Sequence, residues 1–169
     1  MSEPAFQFEI VVVGAGPAGI AAACAAAESG QRVALVDDTP WLGGQIWRGQ
    51  QAKPSLSQAQ RWLERVRQSN VTVLDRTSVI AALRPGVLLA EHPQGARRLH
   101  YQKLVLATGA RELFLPFPGW TLPGVMGTGG LQALVKNGWP IAGQRTVVVG
   151  TGPLLLAVAE VSGAPIIAD

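Results

Sequence analysis

The stretch from Phe8 to Asp37 constrains this chain more than any other. It runs Phe8-Glu-Ile-Val-Val-Val13, then Gly14-Ala-Gly16-Pro-Ala-Gly19, then an alanine-rich segment from Ile20 to Gly30, then Gln31-Arg-Val-Ala-Leu-Val-Asp37. An apolar strand enters three glycines at fixed spacing, a helix ended by glycine follows, and a second apolar strand stops at an acid. In such a βαβ unit the first glycine permits the tight turn out of the strand. The second lets backbone N–H groups approach a pyrophosphate, and the third lets the helix pack closely on the sheet. The diphosphate then meets the open amides and the favourable dipole end of the helix. Asp37 is placed to accept hydrogen bonds from ribose hydroxyls. The pattern is that of a dinucleotide-binding unit, against the plainer reading of an ordinary tight strand–helix turn.

With 169 residues, 48% hydrophobic and 15% charged, the chain has the composition of a globular protein with a core of ordinary size. No stretch approaches the ~18 to 20 apolar residues of a membrane-spanning helix, and acids stand near the N-terminus where a signal peptide carries basic residues. A cytoplasmic protein without a transmembrane segment is expected, with any membrane association made through partners. The net charge of +3 is dispersed, and Arg61, Arg65 and Arg67 fall on a predicted helix whose apolar positions are Ala59, Trp62, Leu63 and Val66. They read as a solvated face, so nucleic acid is not an expected partner. Cys24 is the only cysteine, which leaves no internal disulfide and no multi-cysteine metal site. It is expected as a small buried apolar side chain. His92 and His100 flank a predicted turn, match no ligand spacing and are expected at the surface. No metal site and no catalytic residue are expected.

A loop rich in turn residues follows Asp37 and contains Gly43-Gly44-Gln45-Ile-Trp-Arg48. A helix is expected from Ser57 to Gln68, then a short buried strand, Val71 to Leu74, extending a parallel sheet. Between Val79 and Tyr101, short apolar runs separated by Arg84-Pro-Gly86 and His92-Pro-Gln-Gly95 predict an antiparallel meander. Lys103-Leu-Val-Leu-Ala107 reads as a strand buried on both faces that enters Thr108-Gly109. Beyond a proline- and glycine-rich stretch, Thr146-Val-Val-Val-Gly150-Thr-Gly152-Pro-Leu-Leu155 repeats the opening pattern. Leu155 stands where the third glycine belongs, which argues against nucleotide binding there. Ser162-Gly163 ends a short helix, and Asp169 either mimics Asp37 or is incidental. The expected fold is α/β: a Rossmann-like parallel sheet with an antiparallel β-meander, then an incomplete second βαβ unit. The expected divisions are residues 1–114, a linker over 115–145, and 146–169.

The turn at Gly14, the run Gly44-Gln-Ile-Trp-Arg48, residues 107–126 and Gly150-Thr-Gly-Pro-Leu-Leu-Leu-Ala157 carry a resemblance covering nearly the whole chain. The chain resembles the flavoproteins with two dinucleotide-binding domains, the pyridine nucleotide oxidoreductase superfamily. Within them it looks like the FAD-binding subunit shared by opine oxidases, hydrogen cyanide synthase and related amino-acid dehydrogenases. That resemblance implies that Gly14, Gly16, Pro17, Ala18 and Gly19 hold the FAD diphosphate and Asp37 the adenosine ribose. It implies Gly43, Gly44 and Gln45 on the flavin side, Val79 near adenine, and Thr108 with Gly109 closing over the cofactor. Gln45 as a polar loop residue stands equally beside a flavin contact, and Arg48 and Arg111 as surface residues stand equally beside a role in balancing phosphate or flavin charge.

The resemblance has two departures. The disulfide reductases of the superfamily use a cysteine pair, which one cysteine cannot provide. The family pattern also continues to a late Gly-Asp motif that lies beyond Asp169, so the chain is either a shortened relative or a subunit whose site a partner completes. The implied function is FAD binding in a multi-subunit oxidoreductase that oxidises an amino acid or opine-type amine, with other oxidoreductase subunits as partners. Two alternatives remain: a non-catalytic nucleotide-binding or scaffold subunit, and an NAD-dependent reductase, with NADP disfavoured by Asp37.

Overall fold

A computed structural model describes residues 6–47, 57–141, 143–162 and 166–168. The expectations for Arg48 and Asp169 fall outside the described residues. The chain divides into two compact units, Met1–Gly109 and Ala110–Asp169.

In chain order, the first unit contains β1 (Phe6–Gln7), β2 (Ile10–Val13), α1 (Pro17–Glu28), β3 (Val33–Val36), α2 (Gln58–Gln68), β4 (Val71–Leu74), β5 (Ser78–Arg84), β6 (Val87–His92), β7 (Gly95–His100) and β8 (Lys103–Leu106). A parallel sheet has the order β4-β3-β2-β8, and a second sheet has the order β1-β7-β6-β5. The β5–β6 and β6–β7 pairs are antiparallel, which is the expected meander.

Period-two alternation on the inner strands separates two cores. Val12, Val33 and Leu35 join Ile20, Ala23, Cys24, Leu63 and Val66 from α1 and α2. Val11, Ala34 and Val36 face the other way and join Leu88, Ala90 and Leu99 of the antiparallel sheet. The unit is thus three layers, helices on parallel sheet on antiparallel sheet, and β2 and β3 carry both interfaces. Pro17 occupies the first turn of α1, where its missing N–H removes no helical bond. Ser57 starts α2 with a capping box: its hydroxyl accepts the Gln60 N–H, and the Gln60 side chain accepts the Ser57 N–H.

The two outer strands depart from expectation. The apolar runs of β4 and β8 predict burial, yet Val73 is 38% and Leu106 70% exposed. Both are edge strands of the parallel sheet, so each has a neighbour on one side only. Their apolar composition reports strand formation, and their place in the strand order decides burial.

The second unit contains α3 (Thr128–Lys136), β9 (Val148–Gly150), α4 (Leu154–Ser162) and β10 (Ile166–Ala168). β9 and β10 pair in parallel across α4, giving a small strand–helix–strand unit. Leu155 is buried with Val148 and Val158, so the branched side chain in the third-glycine position serves as core. α3 lies inside the stretch expected to be linker. Glu112 holds its start by accepting the N–H groups of Thr128 at 2.7 Å and Gly129 at 2.9 Å.

His92 is buried, contrary to the expected surface position. It ends β6, and its Nδ1 accepts the Gln94 N–H at 3.1 Å and lies 3.0 Å from an Arg97 guanidinium nitrogen. Both neighbours are donors, so Nδ1 must be unprotonated. Burial, together with the positive charges of Arg97 and Arg76, holds the imidazole below its usual 6.5. A depressed histidine contributes stability that is complete above the unfolded value and is lost as the pH falls below it. The melting temperature should therefore fall between about pH 7 and about pH 5, and His92→Asn, which retains an acceptor without titrating there, should fall less. Parallel profiles for the two proteins would contradict the assignment.

Candidate dinucleotide site

The three opening glycines meet three different physical demands. Gly14 leaves β2 with φ +102°, and a Cβ there would strike the Ala107 carbonyl at the end of β8. Gly19 lies in the first turn of α1, where a Cβ would collide with the Gly14 carbonyl oxygen and reach the Ala107 side chain at 3.4 Å. Both positions are closed to side chains by the fold itself. Gly16 differs: its backbone is ordinary extended chain and a Cβ there would have no atom within 4 Å. Only something outside the described fold would require glycine at that place.

Gly16 is also the N-cap residue of α1. No side chain caps this helix and its first turn carries no acid, the arrangement in which first-turn amides can meet an anion; of these residues Ala18 is exposed and Gly19 buried.

The other expected residues gather around Ala15, which is fully buried. Asp37 Oδ2 accepts the Ala15 N–H at 2.6 Å, while the Gly43 N–H donates to the Ala15 carbonyl at 2.7 Å. Gly44 lies against Gly16, since a Cβ on Gly44 would come within 3.0 Å of the Gly16 Cα. The loop after β3 therefore lines the glycine turn. Thr108 joins from the end of β8, its nitrogen 3.0 Å from a Cβ placed on Gly14.

Val79 is brought near by the backbone, for Thr77 donates its N–H to the Asp37 carbonyl at 2.8 Å. Val79 itself is half-buried against the second core, on β5. Gln45, Gly109 and Arg111 are exposed. Cys24 is buried in α1 as expected, and burial pushes its thiol up, away from nucleophilic thiolate. Among the described residues no cluster of His, Cys, Asp or Glu could hold a metal.

Three residues are not signalled by the motifs. Ala15 is the point where turn, acid and loop meet, and Ala107 supplies the carbonyl that forbids a side chain at position 14 and the methyl that lies beside position 19. Thr39 binds Asp37 Oδ1 through both its N–H, at 2.9 Å, and its hydroxyl, at 2.6 Å. The spacing Asp37-Asp38-Thr39 carries the signal of a side-chain-stabilised turn and could have disclosed the third.

The model of the family described as pyridine nucleotide-disulphide oxidoreductase matches residues 8–162. The chain is 37% identical to an opine oxidase subunit of Rhizobium meliloti (strain 1021), over 87% of this chain and 34% of that protein. It is 38% identical to the hydrogen cyanide synthase subunit HcnB of Pseudomonas protegens, over 88% of this chain and 34% of that one. It thus spans about a third of the length of these relatives. Among solved structures, L-proline dehydrogenase from P. horikoshii shares the fold with a TM-score of 0.74 at 22% identity, over 99% of this chain and 36% of that one. With its glycine turn, its terminal acid and a family match from residue 8 to residue 162, the chain belongs to the pyridine nucleotide-disulphide oxidoreductase family.

Proposed function

We propose that this chain binds FAD at the turn between β2 and α1, as part of a flavin-dependent oxidoreductase subunit that oxidises an amino acid or opine-type amine beside partner subunits. One observation carries the reading: Gly16 has room around it, at the uncapped start of a helix, inside a turn whose other two glycines are fixed by packing. A diphosphate fits such a place, because it needs close backbone and accepts hydrogen bonds. Asp37 stands where a ribose would lie, with carboxylate lone pairs beyond those used by Ala15 and Thr39.

FAD, when bound, supplies the two-electron chemistry. The residues of this chain bind and orient it: the first-turn amides of α1 neutralise the diphosphate, Asp37 fixes the adenosine end, and Gly43 and Gly44 leave a flat approach beside the turn. No catalytic residue is assigned. The amine substrate and the partner subunits are inferred from the names of the relatives, which are subunits of an opine oxidase and of hydrogen cyanide synthase. The cofactor role belongs to residues 1–114, and none is assigned to 146–169, where Leu155 fills the corresponding place. The cytoplasm is the proposed compartment, since a lone buried cysteine suits reducing surroundings.

The purified protein should show, or acquire on titration with FAD, the visible absorption of bound flavin. An unchanged spectrum would favour a scaffold role, and selective binding of NAD would favour the reductase reading.

Two variants separate fold from site. Gly16→Val should fold with stability within about 1 kcal/mol of the parent, because space is available, yet lose FAD affinity because the branched side chain takes the diphosphate's place. Gly19→Val should cost about 3 kcal/mol of stability, because its side chain is driven into backbone. Parental FAD affinity in folded Gly16→Val, measured by calorimetric titration, would remove this turn from the site.

A further inference from the structure

We infer that Thr39 is a positioning residue for the cofactor site: its hydroxyl sets the Asp37 carboxylate, which in turn holds the Gly14–Ala15 peptide through the Ala15 N–H and with it the glycine-rich turn. The inference rests on the FAD reading for its ligand and on this structure alone for the clamp.

The two oxygens of Asp37 are divided between tasks. Oδ2 accepts the Ala15 N–H at 2.6 Å, and Oδ1 accepts the Thr39 N–H at 2.9 Å and hydroxyl at 2.6 Å. The Thr39 hydroxyl also lies 2.8 Å from the Trp41 carbonyl, but it has one proton, and a carboxylate is the stronger acceptor. Thr39 is itself pinned, because its carbonyl accepts the Arg76 N–H at 3.1 Å. Arg76 is the one non-glycine residue with positive φ, at 45°, among the described residues. Such a conformation persists only where surrounding bonds determine it. The turn between β4 and β5 thus anchors Thr39, Thr39 orients Asp37, and Asp37 fixes Ala15.

The next peptide unit, Ala15–Gly16, is held through the Ala15 carbonyl, which accepts the Gly43 N–H at 2.7 Å, so the two peptide planes that meet at the Ala15 Cα are each fixed by one bond. The Gly14–Ala15 plane that Asp37 holds, together with the following plane held by Gly43, sets the direction in which the chain enters Gly16, where the diphosphate is proposed to lie. Without the hydroxyl, Oδ1 keeps only the Thr39 N–H, and the carboxylate's hold on the turn and its aim at the ribose both loosen. Preorganisation of this kind raises affinity by reducing the ordering required on binding.

The test compares Thr39→Val, which keeps shape and removes the hydroxyl, with Thr39→Ser, which restores it. Hydrogen exchange of the Ala15 amide, measured without flavin, should quicken about fivefold or more in Thr39→Val and stay near parental in Thr39→Ser. FAD affinity should fall roughly tenfold in Thr39→Val, the loss expected for one hydrogen bond to a charged group, and remain within about twofold in Thr39→Ser. Parental Ala15 exchange in Thr39→Val would overturn the clamp. Quickened exchange with parental FAD affinity would overturn its role for the cofactor. Should the parent protein bind no FAD, the FAD reading fails, and the Ala15 amide alone still decides the clamp.

Discussion

The first unit depends on one close approach. Helix α1 begins where it does because Gly19 lets its first turn rest on the Gly14 carbonyl, with Ala107 at the end of β8 closing the other side. No side chain fits at either glycine, so β2, α1 and β8 meet through backbone. Their strands in turn carry alternating Val, Ala and Leu into two cores, one against the helices and one against the antiparallel sheet. The same contact leaves the helix start uncapped and Gly16 unobstructed. Packing that stabilises the fold and geometry that suits an anion are therefore consequences of one arrangement.

The polar residues complete it. Asp37 and Gly43 hold the two successive peptide units that meet at Ala15, and Thr39 and Thr77 tie Asp37 to the turn that follows β4. A buried residue whose N–H and carbonyl are both bonded keeps one backbone orientation, since an unpaired polar group there would cost about 1–3 kcal/mol. The second unit shows what happens when the pattern is altered. Its turn has Gly150 and Gly152, but Leu155 replaces the third glycine and is drawn into a core with Val148 and Val158. Its neighbourhood is an apolar groove of about 820 Å³ lined in part by Phe114, Phe117, Val147 and Val149.

Much of this was legible in the sequence because it rests on local rules. The spacing of Gly14, Gly16 and Gly19, the helix start at Ser57 and the turns at Gly86 and Gly95 each follow from short-range sterics or hydrogen bonding. Burial was less legible where it depends on strand order: Val71–Leu74 and Lys103–Leu106 read as interior strands and lie at the two edges of the sheet. His92 reads as a turn residue at the surface, but the donors Gln94 and Arg97 fold back over it. Helix α3 is hidden in a glycine-rich stretch because its cap, Glu112, stands 16 residues before Thr128, beyond the reach of a local capping rule. Of the site, the glycines and Asp37 could be read from their types, whereas Ala15 and Ala107 contribute backbone, which residue identity does not reveal.

The central claim is that the first turn, and not its altered repeat, receives the dinucleotide. Backbone amide chemical shifts recorded during titration of the isotope-labelled protein with FAD test this most directly. The account predicts the largest perturbations at Gly16, Ala18 and Gly19, with smaller ones at Gly43 and Gly44. Perturbations concentrated instead between Gly150 and Leu155, or none in either turn at saturating FAD, would contradict it.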